Sequence, residues 1–433
     1  MTENKKRSAI EKLLGEVRPG EGTLAFLMMA NLLIILISYY VIKVVREPLI
    51  LSVPSGAQWK SYSGAGQALL LMGYVPLYGW FSSKVNRKML IFGVNLFFLI
   101  CIELFALGVK AKVPYIGVPF FIWVGIFSLS VISQFWSLAN DLCTEEEGER
   151  LFPIIAIGAT LGSPIGAELA SRLFHTGLHP AAILQVSAVL LALSMLLYGI
   201  IQKKAATSPR EKTLAQVRLG TAGGFSLLFR SGYLLLVAAL LLLLNLGNTT
   251  GEFILSSKVV DAASHLSGTD KQAFIGEFYG RYFLVVNILA FFVQTFLVFR
   301  IVKYFGIGGV VLALPVVALG AYSTIAAGVG LSVLRWMKTA ENSTDYSVMN
   351  TARAMLWLPT SREEKYKAKQ AVDTFVVRFG DLMSAGLVFA GTIWLSFTAR
   401  AFAMVNIFLV MLWIGVGIAV VRRYKQRVQS PPA

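Results

Sequence analysis

SYYVIKVVREPLIL, residues 38–51, closes an apolar run that begins near Thr23 and is long enough to cross a bilayer. Into its last turns it packs Lys43, Arg46 and Glu47. A charged side chain near the centre of a membrane helix costs roughly 2.5–3.5 kcal/mol on insertion scales, so such groups mark pathways. At about 100° per residue, Tyr39, Tyr40, Lys43, Arg46 and Glu47 share an arc of roughly 120°, a single helix face that cannot look at lipid. Pro48 biases Glu47 away from helical geometry and removes a backbone donor, which predicts that the helix ends or breaks beside its charges. The competing reading makes the same residues headgroup anchors at the end of a span.

The rest of the composition agrees with a bilayer as solvent. The 433 residues are 56% hydrophobic and 14% charged, with mean hydropathy +0.69. A soluble domain carries about 25% charged residues, so the chain reads as a polytopic membrane protein. Cys101 and Cys143 offer neither a disulfide framework nor a ligand cluster. His175, His179 and His265 all fall in predicted loops, which argues against a redox metal; no metal and no cofactor is expected. The start of the chain mixes basic with acidic groups, and residues 8–17 read as an amphipathic surface helix rather than a signal peptide. The net charge of +16 would suggest nucleic acid in a soluble protein. Here most Lys and Arg fall in the N-terminus, the even-numbered loops and the C-terminus. That is the positive-inside pattern, so the expectation is a cell (inner or plasma) membrane protein with both termini cytoplasmic and no nucleic-acid partner.

Windows of about 20 apolar residues predict spans near 24–46, 63–81, 89–109, 115–138, 150–171 and 181–202. Six more follow near 232–256, 278–299, 306–326, 328–357, 371–397 and 400–421. An N-terminal segment (1–23), a first bundle (24–202), a basic linker (203–231), a second bundle (232–421) and a tail (422–433) make up the chain. The predicted fold is an all-α membrane protein of twelve transmembrane helices in two six-helix bundles. This arrangement resembles the major-facilitator architecture, in which two bundles rock about a central site. The loop from Gly79 to Lys88 resembles the basic motif of that architecture, with Ser83 in place of an acid and Asn86 at a glycine position. Its counterpart runs from Arg300 to Gly306; the alternative is a basic loop that only sets topology. Gly158, Gly162 and Gly166 form a stripe that lets another helix approach closely.

Polar faces then mark where water or ion pairs must be. In the seventh span Asn245, Asn248, Thr249 and Glu252 share an arc of about 100°. Glu277 and Arg281 open the eighth as a self-neutralising i, i+4 pair. The tenth span gathers Arg335, Lys338, Glu341, Asn342, Asp345 and Arg353 within roughly 120°. It must line an aqueous cavity or bury a salt-bridge network. The eleventh carries Asp373, Arg378 and Asp381, the last two able to pair at i, i+3. Embedded acids roughly offset the seven embedded cations. Converging Arg and Lys can hold an anion, and Arg forks suit phosphate oxygens; the alternative is a set of inter-helix ion pairs that hold a closed state.

At these residues the chain resembles the ATP/ADP translocase (nucleotide transporter) family of plastids and intracellular bacteria. The likeness lies in Tyr40, Lys43, Arg46, Glu47, Leu49 and Leu51, then Gly56-Ala57-Gln58, then Phe135 to Asp141 leading into Glu149-Arg150-Leu151-Phe152. It continues through Asn245, Glu252 and Ser257-Lys258. The most specific part runs from Asp345-Tyr346-Ser347 through Thr351, Arg353, Met355 and Pro359 to Asp373. Gln58 replaces an acid of the family, Glu47 lengthens an Asp, and Ala354 stands where the family has Glu. The resemblance implies counter-exchange of adenine nucleotides, with Lys43, Arg46, Glu252 and Arg353 as functional positions.

On this reading the substrate site comprises Lys43, Arg46, Tyr40, Asn245, Glu252, Lys338 and Arg353. A base would stack on Tyr39, Tyr40 or Tyr346. Glu47, Asp141, Arg281, Asp345, Asp373, Arg378 and Asp381 are expected as gating or ion-pair groups. A monomer in the lipid bilayer, moving a nucleotide or other small anion without hydrolysing it, is the expectation. The alternative cargo is another phosphorylated or organic anion, with proton coupling through Glu252 or Asp345. A membrane enzyme is disfavoured because no intramembrane His or Cys nucleophile constellation is present.

Overall fold

In the computed structural model, residue 18 and residues 21–82, 84–85, 87–206, 224–361 and 363–429 are described. The predicted surface helix at 8–17, most of the basic linker, Ser83 and Asn86 of the loop motif, and the last four residues lie outside them. Apolar runs this long become helices because lipid offers backbone groups no partner, and a helix satisfies them internally.

Helices α1 (Gly22–Leu51), α2 (Gly56–Ser82), α3 (Arg87–Lys110), α4 (Gly117–Leu142), α5 (Glu145–His175) and α6 (Pro180–Ala206) form the first half. A short α7 (Gly224–Arg230) leads into the second. It contains α8 (Gly232–Ala262), α9 (Gly268–Phe292), α10 (Val298–Ala326), α11 (Leu331–Thr344) and α12 (Asn350–Leu356). After them come α13 (Lys369–Ala371), α14 (Val377–Phe389) and α15 (Ala399–Gln429). Wide π turns at Val293–Leu297 and Asp345–Met349 join α9 to α10 and α11 to α12. The segment Gly268–Ala326 is one of nine, among the described residues, that are long and apolar enough to cross a membrane. Gly306 divides it, at φ 58° and ψ −151°, a region essentially restricted to glycine. Helix α2 and the α11–α12 rod are not among the nine, so the count of twelve crossings rests on these two more polar rods crossing as well.

Several boundaries differ from the sequence reading. Helix α1 does not stop at its charges: it continues through Pro48 for another turn, and the Ser52 amide donates to the Pro48 carbonyl at 3.2 Å. Proline removes one ladder hydrogen bond, and tight packing of Val44, Val45, Leu49, Ile50 and Leu51, all nearly or wholly buried, holds the last turn in place. Helix α2 starts at Gly56, seven residues before the apolar window suggested. Helix α15 runs on to Gln429, into the predicted tail.

Helix α1 is the centre of the first half and packs on α4, α5 and α6. The glycine stripe on α5 explains the closest of these contacts. A Cβ at Gly158, Gly162 or Gly166 would stand 2.2, 2.7 or 2.6 Å from the carbonyl oxygens of Met29, Leu33 and Ile37. Both rows advance by four residues, so ridge lies along ridge at backbone contact. In the second half α8 packs on α14 and α15, and α10 on α15.

Arg150 forks both oxygens of Glu21 at 2.9 Å, tying the starts of α1 and α5 together. That hydrogen bond holds the Glu21 carboxyl below the usual carboxylate range. Arg427 of α15 does the same for the second half by bonding Ser231 at 2.8 Å and Glu364 at 3.2 Å. We call this end the terminal side. The halves meet through α5 with α9, α2 with α14, and α1 with α9. At the opposite, far side, Phe174 and Ser171 fill the spaces beside Gly276 and Gly280, and Tyr62 meets Phe389 with ring centres 6.3 Å apart.

Candidate functional site: a two-faced cavity between the halves

A cavity of about 340 Å³ lies between the halves, where the polar faces of α1, α2, α8, α11 and α14 converge. The first half presents Tyr39, Lys43, Arg46, Glu47, Lys60, Gln67 and Phe121 to it. Glu47 is fully buried, and two cations hold it. Arg46 Nη2 lies 2.5 Å from one carboxylate oxygen and Lys60 Nζ 2.7 Å from the other. Arg46 also stacks over the Phe121 ring at 4.2 Å. Lys60 reaches across to the second half, donating to Ser256 Oγ at 3.0 Å and the Tyr279 hydroxyl at 3.4 Å. Lys43 is different. Among the described residues it has no carboxylate within 4 Å, and its ammonium sits over the rings of Phe283 (4.3 Å) and Tyr40 (5.0 Å). A cation stabilised by aromatic faces keeps its charge available to a ligand.

The second half presents the acids and amides. Asn245 donates to Asp381 Oδ1 at 2.7 Å, Thr249 to the same oxygen at 3.3 Å, and Arg378 lies 3.5 Å from the other oxygen. Glu252 accepts from Asn342 at 2.9 Å and from the Tyr282 hydroxyl at 3.4 Å. Behind this wall Lys338, completely buried, pairs with Glu341 at 2.9 Å and is bonded to Asn248 at 3.1 Å. Tyr322 completes that cluster by donating to Glu341 at 2.8 Å.

Of the residues singled out from sequence, Lys43, Arg46, Glu47, Asn245, Glu252, Arg378 and Asp381 line this cavity. Tyr40 stands behind Lys43, its hydroxyl donating to Asn287 at 3.1 Å across the halves. Lys338 is sealed within its ion pair, so the tenth predicted span does both things proposed for it: Lys338 and Glu341 form a buried network, while Asn342 and Tyr346 line the cavity. Arg353 pairs with Asp345 at 3.3 Å, outside the cavity wall. Arg281 takes Glu277 at 2.6 Å, as its i, i+4 spacing implied, and lies largely exposed beyond the site. Asp141 and Asp373 are exposed, on α4 and on the π turn before α14. Among the described residues no group of three His, Cys, Asp or Glu side chains comes together as a metal site.

Sequence reading missed Lys60 and Gln67. Lys60 falls in the loop before the 63–81 window, because residues 56–62 are too polar for an apolar window, and Gln67, inside that window, is not singled out. A helical signal was present: Lys60, Gly64 and Gln67 recur at i, i+4 and i+7, one face of a helix.

Comparison with known proteins puts this geometry in context. No family model matches the chain. ADP,ATP carrier protein 1 of Chlamydia pneumoniae is 21% identical over 332 residues, covering 66% of this chain and 63% of the relative. The protein of the same name from Chlamydia trachomatis serovar D is 22% identical over 330 residues, 66% of this chain and 61% of the relative. The match therefore spans just over three-fifths of the length of these relatives. Among solved structures, a bacterial homologue of the iron transporter ferroportin, in an inward-facing state, superposes with TM-score 0.67 at 15% identity over 92% of this chain and 98% of that one. The POT family transporter PepTSo gives TM-score 0.65 at 11% identity, over 95% and 99%. The fold is major-facilitator-like. A bacterial homologue of the lysosomal transporter Spinster, also inward-facing and unoccupied, gives TM-score 0.61 at 14% identity over 95% and 99%.

Proposed function

We propose that this protein is a membrane secondary transporter that exchanges adenine nucleotides by alternating access, with ATP/ADP antiport as the reference reaction. The observation that carries the reading is the cationic face of Lys43, Arg46 and Lys60, set between two halves that close on one side. Arg46 and Lys43 receive the phosphates, and an aromatic such as Tyr39 or Tyr346 receives the base. The distant carrier relatives named above support nucleotides as the cargo class. Nothing is hydrolysed, so no phosphate loop is needed.

Alternation follows from competition. A phosphate that takes Arg46 loosens its hold on Glu47, and Glu47 then loads Lys60, the cation that ties the halves together on the far side. On the terminal side, the Arg353–Asp345 pair and the Asp141 and Asp373 positions are the groups we assign to closing and reopening, and on the far side the Arg281–Glu277 pair. On this proposal the protein sits as a monomer in the cell membrane with both termini cytoplasmic, and closure on the far side is closure to the outside. A second reading, another phosphorylated or organic anion coupled to protons, is favoured by Glu252 and Asp381 facing the cavity.

The test is uptake of labelled ATP, ADP and AMP into proteoliposomes loaded with ADP. Stimulation over empty vesicles supports exchange; no stimulation for any of them refutes it. Uptake driven by a pH gradient into empty vesicles would establish the second reading.

A further inference from the structure

The two walls of the cavity carry opposite charge. The first-half wall has three cations (Lys43, Arg46, Lys60) against one carboxylate, Glu47. The second-half wall has one cation, Arg378, against two carboxylates, Glu252 and Asp381. Behind that wall Lys338 lies 2.9 Å from Glu341 and 3.9 Å from Glu252; with Glu341 it adds no net charge to the balance. The first wall therefore offers two surplus positive charges, while the second has a surplus negative charge, its carboxylates Asp381 and Glu252 already held by amide and hydroxyl donors but facing the cavity.

From this asymmetry we infer that the site selects a dianion bearing hydrogen-bond donors at its other end, and so favours a nucleoside monophosphate over the corresponding triphosphate. The inference rests on the reading that the cavity binds phosphorylated anions. A phosphate monoester is close to a dianion at neutral pH, its second pKa being about 6. It matches the first wall. The exocyclic amine and ribose hydroxyls then meet Asp381, Glu252 and the amides of Asn245 and Asn342. Each further phosphoryl group adds a charge that the first wall cannot neutralise, and lengthens the anionic end toward Glu252 and Asp381. In a partly dehydrated cavity that like-charge approach is screened far less than in bulk water.

The experiment is calorimetric titration of the purified full-length protein with AMP, ADP, ATP and inorganic phosphate, at constant ionic strength and without divalent cations. AMP binds tightest and ATP at least about tenfold weaker, with ADP between, because each added charge meets the acidic wall. Inorganic phosphate competes with AMP. Glu252→Gln and Asp381→Asn, each nearly isosteric and able to keep part of its hydrogen bonding, narrow the AMP-to-ATP gap. Binding of ATP as tight as or tighter than AMP by the unmodified protein overturns the inference while leaving the nucleotide reading intact. So does a gap that neither variant changes. Failure of all four ligands to bind refutes the nucleotide reading and, with it, this one.

Discussion

Replacing Lys60 with methionine tests the central arrangement most directly. The change keeps the length and apolar stem of the side chain but removes one of the two cations on Glu47. Glu47 is completely buried and the Lys60 side chain only 11% exposed. Removing one partner of a buried pair typically costs about 3–5 kcal/mol, because the other charge is left without compensation. Arg46 stays within 2.5 Å of the carboxylate, which places the cost at the low end, about 3 kcal/mol. Lys60 also donates across the halves to Ser256 and Tyr279, so the loss falls on the far-closed state. At 1.4 kcal/mol per factor of ten, the equilibrium shifts toward far-side opening by about a hundredfold. Ser171 reports on that opening: it is 3% exposed and lies against Gly280 where α5 meets α9. With Cys101 and Cys143 replaced, a cysteine at Ser171 is inert to a membrane-impermeant thiol reagent added from the far side, and becomes reactive in the Lys60→Met background. Unchanged labelling in the Lys60→Met variant refutes the ion-pair lock.

Lys43→Gln leaves the melting temperature nearly unchanged, since its ammonium has no carboxylate partner among the described residues; it weakens AMP binding in calorimetry by about ten- to a hundredfold, the worth of one charged hydrogen bond. Lys338→Met strands the buried Glu341 and lowers stability by about 3–5 kcal/mol in detergent melts, and adding Glu341→Gln recovers much of that. Gly162→Leu drives a side chain against the Leu33 carbonyl and the Leu36 Cβ, 2.7 and 2.8 Å from the new Cβ alone; it costs about 1–3 kcal/mol or more in the same melts, whereas Gly73→Ala, with nothing within 4 Å, does not.

Much of the fold was legible in the chain because membrane helices declare themselves by composition and length, and a polar face by its period. Residues 38–51 signalled a buried charged face, Glu277 and Arg281 their own pairing, and Gly158, Gly162 and Gly166 a close helix contact. These are local properties, set within a few turns of a single helix. What they contact is not local. That the glycine stripe meets Met29, Leu33 and Ile37, that Lys60 rather than a tenth-span cation neutralises Glu47, and that Lys338 is sealed while Lys43 stays open were decided by tertiary packing alone. Helix α2 escaped notice at its start for a related reason: a helix end turned toward other helices and a polar cavity need not be apolar. Hydropathy records which residues lipid tolerates, whereas the pairing of buried charges depends on distances that exist only once the two halves have closed on each other.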